Sequence, residues 1–133
     1  MYILELKQAE EQQEHRNKKG EILLFSISNL DIKITRGDTA VIALALQNKD
    51  GSEYVPQEGD IILLTVKSSV YTKEILIQKK FTDQQIKINP DDTNNLSYGK
   101  YYYDVQLTTV SGDVFTVITP HKFEIQSEVT WSE

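Results

Sequence analysis

Side chains that could take part in chemistry are few and widely spaced in this sequence. The two histidines, His15 and His121, lie near opposite ends of the chain, and neither stands in a motif with a nucleophile and an acid. Asp91 and Asp92 begin the segment DDTNN, which supplies fewer oxygen ligands than a calcium loop needs. The glycines stand singly, which does not fit a phosphate-binding loop. We therefore predict that the protein is not an enzyme and has no cofactor or metal.

Composition narrows the class of protein further. The chain has 133 residues, about one domain, and a formal net charge of -6. This charge argues against binding to nucleic acid, which needs clustered Lys and Arg, and against docking on an anionic membrane. The sequence has no cysteine and no apolar run of about 18 residues, so we expect neither disulfides nor a membrane-spanning helix. The N-terminus does not resemble a secretory signal, so we expect synthesis in a cytoplasm.

Apolar and polar residues alternate with a period of two from residue 21 onward. The segments DIKIT, TAVIALALQ, DIILLTVKS and QIKINP show this pattern, and turn residues separate them every 8 to 12 positions, roughly as in β-sandwiches. Helix patterns are missing between the predicted strands, which disfavours a parallel α/β sheet. The sequence therefore predicts a mainly β protein, an antiparallel immunoglobulin-like β-sandwich over residues 21–128.

The first residues have a different composition. Residues 1–20 are rich in helix formers, with acids before bases, and Gly20 is a plausible end cap. This pattern predicts a short N-terminal α-helix, which either rests on the domain or acts as an arm that docks on a partner through Ile3 and Leu6. A rival interpretation makes YILEL a short strand.

The segment NPDDTNNLSYGKYYYDVQL, residues 89–107, carries the most information about the fold. Pro90 and the residues after it predict a turn or a short 3₁₀ segment. Sandwiches of this class place a tyrosine near the start of one strand, and its hydroxyl bonds back across the preceding corner. Tyr101 is the first candidate for that role and Tyr98 the second, while Tyr103 is expected to fill the core. Tyr102 would face outward, where it could bind a partner.

The tripeptide Arg36-Gly37-Asp38 is the one that integrin ligands use. Here it lies between two alternating segments, where a strand must break or bulge. Asp38 can bond to the local backbone in such a turn. We therefore predict a structural joint at Gly37 and Asp38 rather than an adhesion site.

Trp131 is the single tryptophan and lies in the predicted tail, residues 129–133. An exposed tryptophan often anchors a partner, so Trp131 is a second candidate contact residue besides Tyr102. It could instead fold back onto the sandwich or belong to a disordered tail.

Four phrases together resemble the small immunoglobulin-like proteins of phages and prophages of Gram-positive bacteria. They are IKITRGDTAVIALALQNKDG, EGDIILLTVK, DTNNLSYGKYYYDVQLTTVSGDVFTVI and FEIQSEVT. The chain is similar in particular to the N-terminal module of baseplate upper proteins over about residues 30–130. The resemblance implies a virion, tail or baseplate module that is made in the bacterial cytoplasm and attaches to other phage structural proteins or to itself as a homo-oligomer. It carries over no catalytic residues.

Two other functions stay open. An acidic protein can occupy a basic nucleic-acid site, which suits a phage-encoded inhibitor of a host protein. Outward aromatic residues at 102 and 131 would also suit a sandwich that binds carbohydrate or a cell surface.

Overall fold

A computed structural model of the protein describes residues 2–8, 25–28, 30–48, 50 and 52–127. No helix in these ranges is long and apolar enough to cross a membrane. The described residues form strands with one short helix between two of them. In chain order the elements are β1 (Tyr2–Gln8), β2 (Phe25–Ser28), β3 (Asp31–Thr35), β4 (Ala40–Gln47), β5 (Ile61–Lys67), β6 (Ile77–Lys80), β7 (Gln85–Ile88), α1 (Pro90–Asn94), β8 (Gly99–Thr108) and β9 (Val114–Gln126).

These strands form two sheets that enclose one core. The smaller sheet has the order β1-β4-β7, and the larger has the order β2-β3-β9-β8-β5-β6. All the pairings are antiparallel except that of β3 with β9, which is parallel. The mainly β, sandwich-like architecture predicted from the alternation is therefore confirmed.

The alternation of the sequence explains which face of each strand is buried. On β4, Ile42, Leu44 and Leu46 are buried, because successive side chains point to opposite faces of a strand. They join side chains of the larger sheet in a single core, whose largest fully buried members include Tyr103 and Phe123. The two sheets thus bury a common apolar layer, as the sequence pattern indicates.

Strand β9 is one long strand that includes most of DVFTVITP and all of KFEI. Its register with β8 shifts twice, between Tyr103 and Val105 and again between Val105 and Gln106. Pro120 lies within the first shift, where the missing N–H of proline does least harm to the ladder. The bulges let the strand bend without ending.

The predicted N-terminal helix is wrong for residues 2 to 8. These residues form β1 at the edge of the smaller sheet, as the rival interpretation of YILEL proposed. Helix propensity is a weak preference, and the backbone hydrogen bonds to β4 outweigh it here. The rest of the predicted arm, residues 9–20, lies outside the described residues, as does the predicted tail, 129–133.

Candidate functional site

The Arg36-Gly37-Asp38 segment carries the chain from β3 in the larger sheet to β4 in the smaller one. Gly37 has φ +86°, a conformation that residues with a Cβ rarely adopt. Its N–H donates to the Thr93 hydroxyl of α1 at 2.8 Å, and the Asp38 N–H donates to the Thr35 carbonyl at 3.0 Å. The Arg36 guanidinium lies 4.4 Å from the centre of the Tyr98 ring. The tripeptide is thus packed against another part of its own chain.

Asp91 and Asp92 lie in the first turn of α1, and the Asp92 side chain stabilises the start of this helix. The Asn89 N–H donates to the Asp92 carboxylate at 2.7 Å, which satisfies a backbone donor at the helix start. The same carboxylate forms an ion pair with Lys79 at 2.8 Å. Among the residues that the structure describes, no cluster of His, Cys, Asp or Glu could hold a metal ion.

Three tyrosines near the start of β8 have different surroundings. The Tyr101 hydroxyl donates to the Ser97 carbonyl at 2.7 Å, the backward contact that we predicted for this residue. Tyr98 is 40% exposed and lies under Arg36. Tyr103 is buried, donates its hydroxyl to the Leu30 carbonyl, and meets Phe123 edge to face. Burial raises the pKa of Tyr103, so the side chain stays neutral.

A groove of about 250 Å³ opens on the outer face of the larger sheet, where β8, β5 and β6 lie side by side. Pairing of β5 with β6 and with β8 places the residues of the groove floor next to one another. Lys67 is opposite Tyr102, and Thr65 lies between Asp104 and Gln78. We call this feature the sheet groove; its floor residues are Thr65, Lys67, Gln78, Tyr102, Asp104 and Gln106.

The rim of the sheet groove is apolar on the side of the loop between β5 and β6. Val70 and Ile75 line the groove and are each about half exposed. Tyr71, next to Val70 in the chain, is 93% exposed. Pro120 of β9 closes the other side. The apolar side chains thus lie at the edge of the groove and the polar ones on its floor.

Asp104 is the most unusual polar group in the sheet groove. Partial burial raises the pKa of its carboxyl, and the positive charge of Lys67 opposes the rise. No hydrogen bond to this carboxylate is found within the described part of the chain, whereas nearby Thr65 accepts one from Gln78 at 3.0 Å. Asp104 can therefore accept hydrogen bonds from a bound partner.

The predicted contact residues are not brought to one place. Tyr102 lies in the sheet groove, as its outward orientation suggested. Ile3 and Leu6 lie on β1 of the other sheet, opposite Leu46 and Leu44. Trp131 lies outside the described residues. The groove combines an aromatic ring with a carboxylate, an ammonium and side-chain amides, so it offers hydrogen-bonding and charged groups to a polar ligand.

Most groove residues were not candidates from sequence. Lys67, Gln78 and Asp104 stand at outward positions of alternating strands, which usually means ordinary solvent contact. Outward Tyr102 was the signal that could have led to them. Asp104 and Gln106 share its face on β8, at spacings of two and four residues. Lys67 and Gln78 join them only through strand pairing.

Comparison with known proteins identifies no family for this chain. The chain matches no protein-family model and no curated protein. Among solved structures it is similar to that described as "The crystal structure of CopC from Methylosinus trichosporium OB3b", at 7% sequence identity over 98% of each chain, with a TM-score of 0.45. At this identity and TM-score the likeness carries no argument.

Proposed function

We propose that the chain is a non-enzymatic interaction module with an immunoglobulin-like sandwich, and that it is a structural or accessory component of a phage or prophage particle. It acts through protein–protein contacts, with other particle proteins or with copies of itself. The resemblance of its four sequence phrases to phage modules supports the particle assignment. The bacterial cytoplasm is then the place of synthesis and the virion the place of action.

The strand order supports the immunoglobulin-like part of the proposal. Strands β9, β8, β5 and β6 follow one another in the larger sheet as G, F, C and C′ do in variable-type immunoglobulin sheets. Strands β4 and β7 take the places of B and E in the facing sheet. The Tyr101 hydroxyl bond to Ser97 corresponds to the tyrosine corner of such domains.

The sheet groove is the observation that carries the interaction function. It joins an aromatic residue, Tyr102, to a partly desolvated carboxylate, Asp104, beside the half-exposed side chains of Val70 and Ile75. Such aromatic side chains supply most of the binding energy in protein interfaces, and surrounding residues exclude water from them. The same groove can hold an Arg or Lys side chain of a partner between the Tyr102 ring and Asp104.

Incorporation into particles tests this proposal. A tagged copy is produced during particle assembly, and purified particles are examined by immunoblot and electron microscopy. We expect the tagged protein in the particles, and we expect Tyr102→Ala to lower its incorporation roughly thirtyfold, as loss of a central contact residue does. Lys33→Ala is the matched control, because Lys33 is an exposed residue on the same sheet and lies outside the groove. A protein that is absent from particles and monomeric in solution would contradict the proposal.

Carbohydrate binding is a second candidate, because the groove floor also suits a sugar. Tyr102 offers a ring face, while Asp104, Gln78 and Gln106 offer acceptors and donors for hydroxyl groups. Titration with soluble cell-wall glycans, followed by NMR, separates the two functions. Shifts at Tyr102 and Asp104 that disappear in Tyr102→Ala but persist in Tyr71→Ala would favour the sugar.

A further inference from the structure

Apolar side chains are exposed at the end of the sandwich where the loop between β4 and β5 meets the loop between β8 and β9. Val110 is 76% exposed, and Val55 and Val114 are each 57% exposed. Exposed apolar side chains grouped on neighbouring loops of a small protein often mark an interaction site. We call it the apical patch; its members are Val55, Ile61, Val110, Val114 and Phe115.

Direct contacts hold the two loops of the apical patch together. A methyl group added at Gly59 would lie 3.0 Å from a methyl of Val110, so the two residues already touch closely. The Val110 backbone of the neighbouring loop is close enough to the Asp60 carboxyl to help lower its pKa. In the sheet below, Thr108 pairs with Ile61 on one side and with Val114 on the other, which aligns those side chains on one face.

Each loop is also ordered by its own hydrogen bonds. In the first loop, the Asp60 carboxylate accepts the Tyr54 hydroxyl and the Gln57 N–H, the latter at 2.9 Å. In the second, the Thr109 N–H donates to the Asp113 carbonyl at 2.8 Å, and the Asp113 N–H to the Thr109 hydroxyl at 3.2 Å. Loops that are ordered before binding lose less conformational entropy when a partner docks.

The described residues of the two loops carry charges of one sign. Five acidic residues stand on the two loops, and the sequence has no Lys or Arg from 50 to 66 or from 107 to 121. Lys49, at the start of the first loop, lies outside the described residues. Hydrogen bonds from Ser52 lower the pKa of Asp50, and the Tyr54 hydroxyl lowers the pKa of Asp60, so both stay ionised. The acidic residues are Asp50, Glu53, Glu58, Asp60 and Asp113.

We propose that the apical patch docks a cationic amphipathic protein segment, one that presents apolar side chains flanked by Lys and Arg. The negative charge of the two loops favours this partner over the other molecules that could cover the patch. Phosphates of nucleic acid and anionic lipid headgroups are repelled by the acidic rim. A second copy of the chain in a twofold contact would bring the same carboxylates against each other. The proposal does not depend on the sheet groove.

A designed peptide of alternating leucine and lysine patches is the probe, with two control peptides that carry glutamate for lysine or serine for leucine. We expect the leucine–lysine peptide to shift the amide signals of Val55, Ile61 and Val110 in NMR spectra, with a Kd on the order of 100 µM at low salt. Raising the salt to about 0.5 M should weaken binding several-fold, because exposed charges are screened. Neither control peptide should bind at the patch.

Two variants tie the binding to the patch. Val110→Ser removes the most exposed apolar side chain of the patch, and Glu58→Lys reverses a charge; each should weaken binding at least fivefold. Glu74→Lys is the matched control, since it makes the same charge change in the loop between β5 and β6 and should leave binding unchanged. Equal binding by all three variants, or no shift at the patch, would overturn the proposal. Sedimentation of the free protein completes the test: self-association that Val110→Ser abolishes would show that a second copy occupies the patch instead.

Discussion

At the end of the sandwich where β3 turns into β4, polar groups point inward, whereas at the apical patch apolar groups point outward. Buried Thr93 accepts the N–H of Gly37, and Arg36 packs on Tyr98. At the other end Val110 stands 76% exposed over hydrogen-bonded loops. We call the first region the joint end. The contrast indicates that its side chains serve folding, while apical side chains are free to serve binding. Five substitutions test this contrast.

Gly37→Val should have the largest effect on stability. Valine at φ +86° strains the backbone of the joint end, and we expect a loss of about 2–3 kcal/mol in the free energy of unfolding. Urea unfolding followed by circular dichroism measures it. Gly37→Asn is the control, because asparagine tolerates this conformation and should cost well under half as much. If the valine variant were as stable as the original, the account of a strained joint would be wrong.

Thr93→Val should come next. The two side chains have nearly the same shape, but valine leaves the Gly37 N–H without its acceptor in a buried place. We expect a loss of about 1–3 kcal/mol, whereas Thr93→Ser keeps the hydroxyl and should cost less. Hydrogen exchange at the Gly37 amide provides an independent measurement, and it should accelerate in the valine variant only.

Tyr54→Phe tests the loop order of the apical end through its pH dependence. The Tyr54 hydroxyl lowers the pKa of Asp60, while burial and Asp60 raise the pKa of Tyr54 to about 12. A lowered carboxyl pKa adds stability above the unfolded value of about 3.9, and that stability is lost as the pH falls through the folded pKa.

The variant should therefore lose about 1 kcal/mol at neutral pH, and the difference should narrow below about pH 4. Urea unfolding at both pH values checks this. Tyr71→Phe, on a ring that is 93% exposed, should change nothing. An equal loss at both pH values would show that the Tyr54 hydroxyl does not stabilise the protein through its hydrogen bond to the ionised Asp60 carboxylate.

Arg36→Ala should have a smaller effect, because its contact with the Tyr98 ring is partly exposed. We expect a loss of about 0.5–1 kcal/mol, measured as a modest fall in the thermal midpoint. Lys33→Ala removes the same charge from β3, the strand that Arg36 follows, and should cost less. A loss as large as that of Gly37→Val would mean that the arginine, and not the glycine, holds the joint end together.

Val110→Ser should have the smallest effect of the five. The side chain is mostly exposed, so we expect a change within about 0.5 kcal/mol. An unchanged stability would show most clearly that apical side chains differ from those of the joint end, since the same substitution is expected to weaken peptide binding. A large loss of stability would instead assign Val110 to the fold, through its contact with Gly59.

Alternation of residues was enough to predict most strands, because it reports directly which faces are buried. It also predicted a joint at Gly37, since only a break separates DIKIT from the next alternating run. The bond from Gly37 to Thr93 was beyond prediction, because it joins residues 56 positions apart. The first strand was predicted only as the rival of a helix, because its helix-forming residues are stabilised by pairing with β4, a tertiary effect.

The sheet groove and the apical patch could not be predicted from the sequence, for different reasons. The sheet groove combines residues from β5, β6 and β8, and only the strand order makes them neighbours. In the apical patch, Val110 and Val114 flank a turn and read in sequence as ordinary strand residues. Their exposure follows from the hairpin extending beyond the core, which no local pattern reports.

The position of β9 also affects how the chain folds during synthesis. This strand lies between β3 and β8, so without it the larger sheet separates into β2–β3 and β8–β5–β6. Residues 114–126 must therefore leave the ribosome before the larger sheet can form completely. Ile32 cannot pair with β9 until then, because its partner Phe123 is synthesised 91 positions later. Until then the edges of β3 and β8 are unpaired and open to other nascent chains, so a chaperone that binds extended strands would act in this interval.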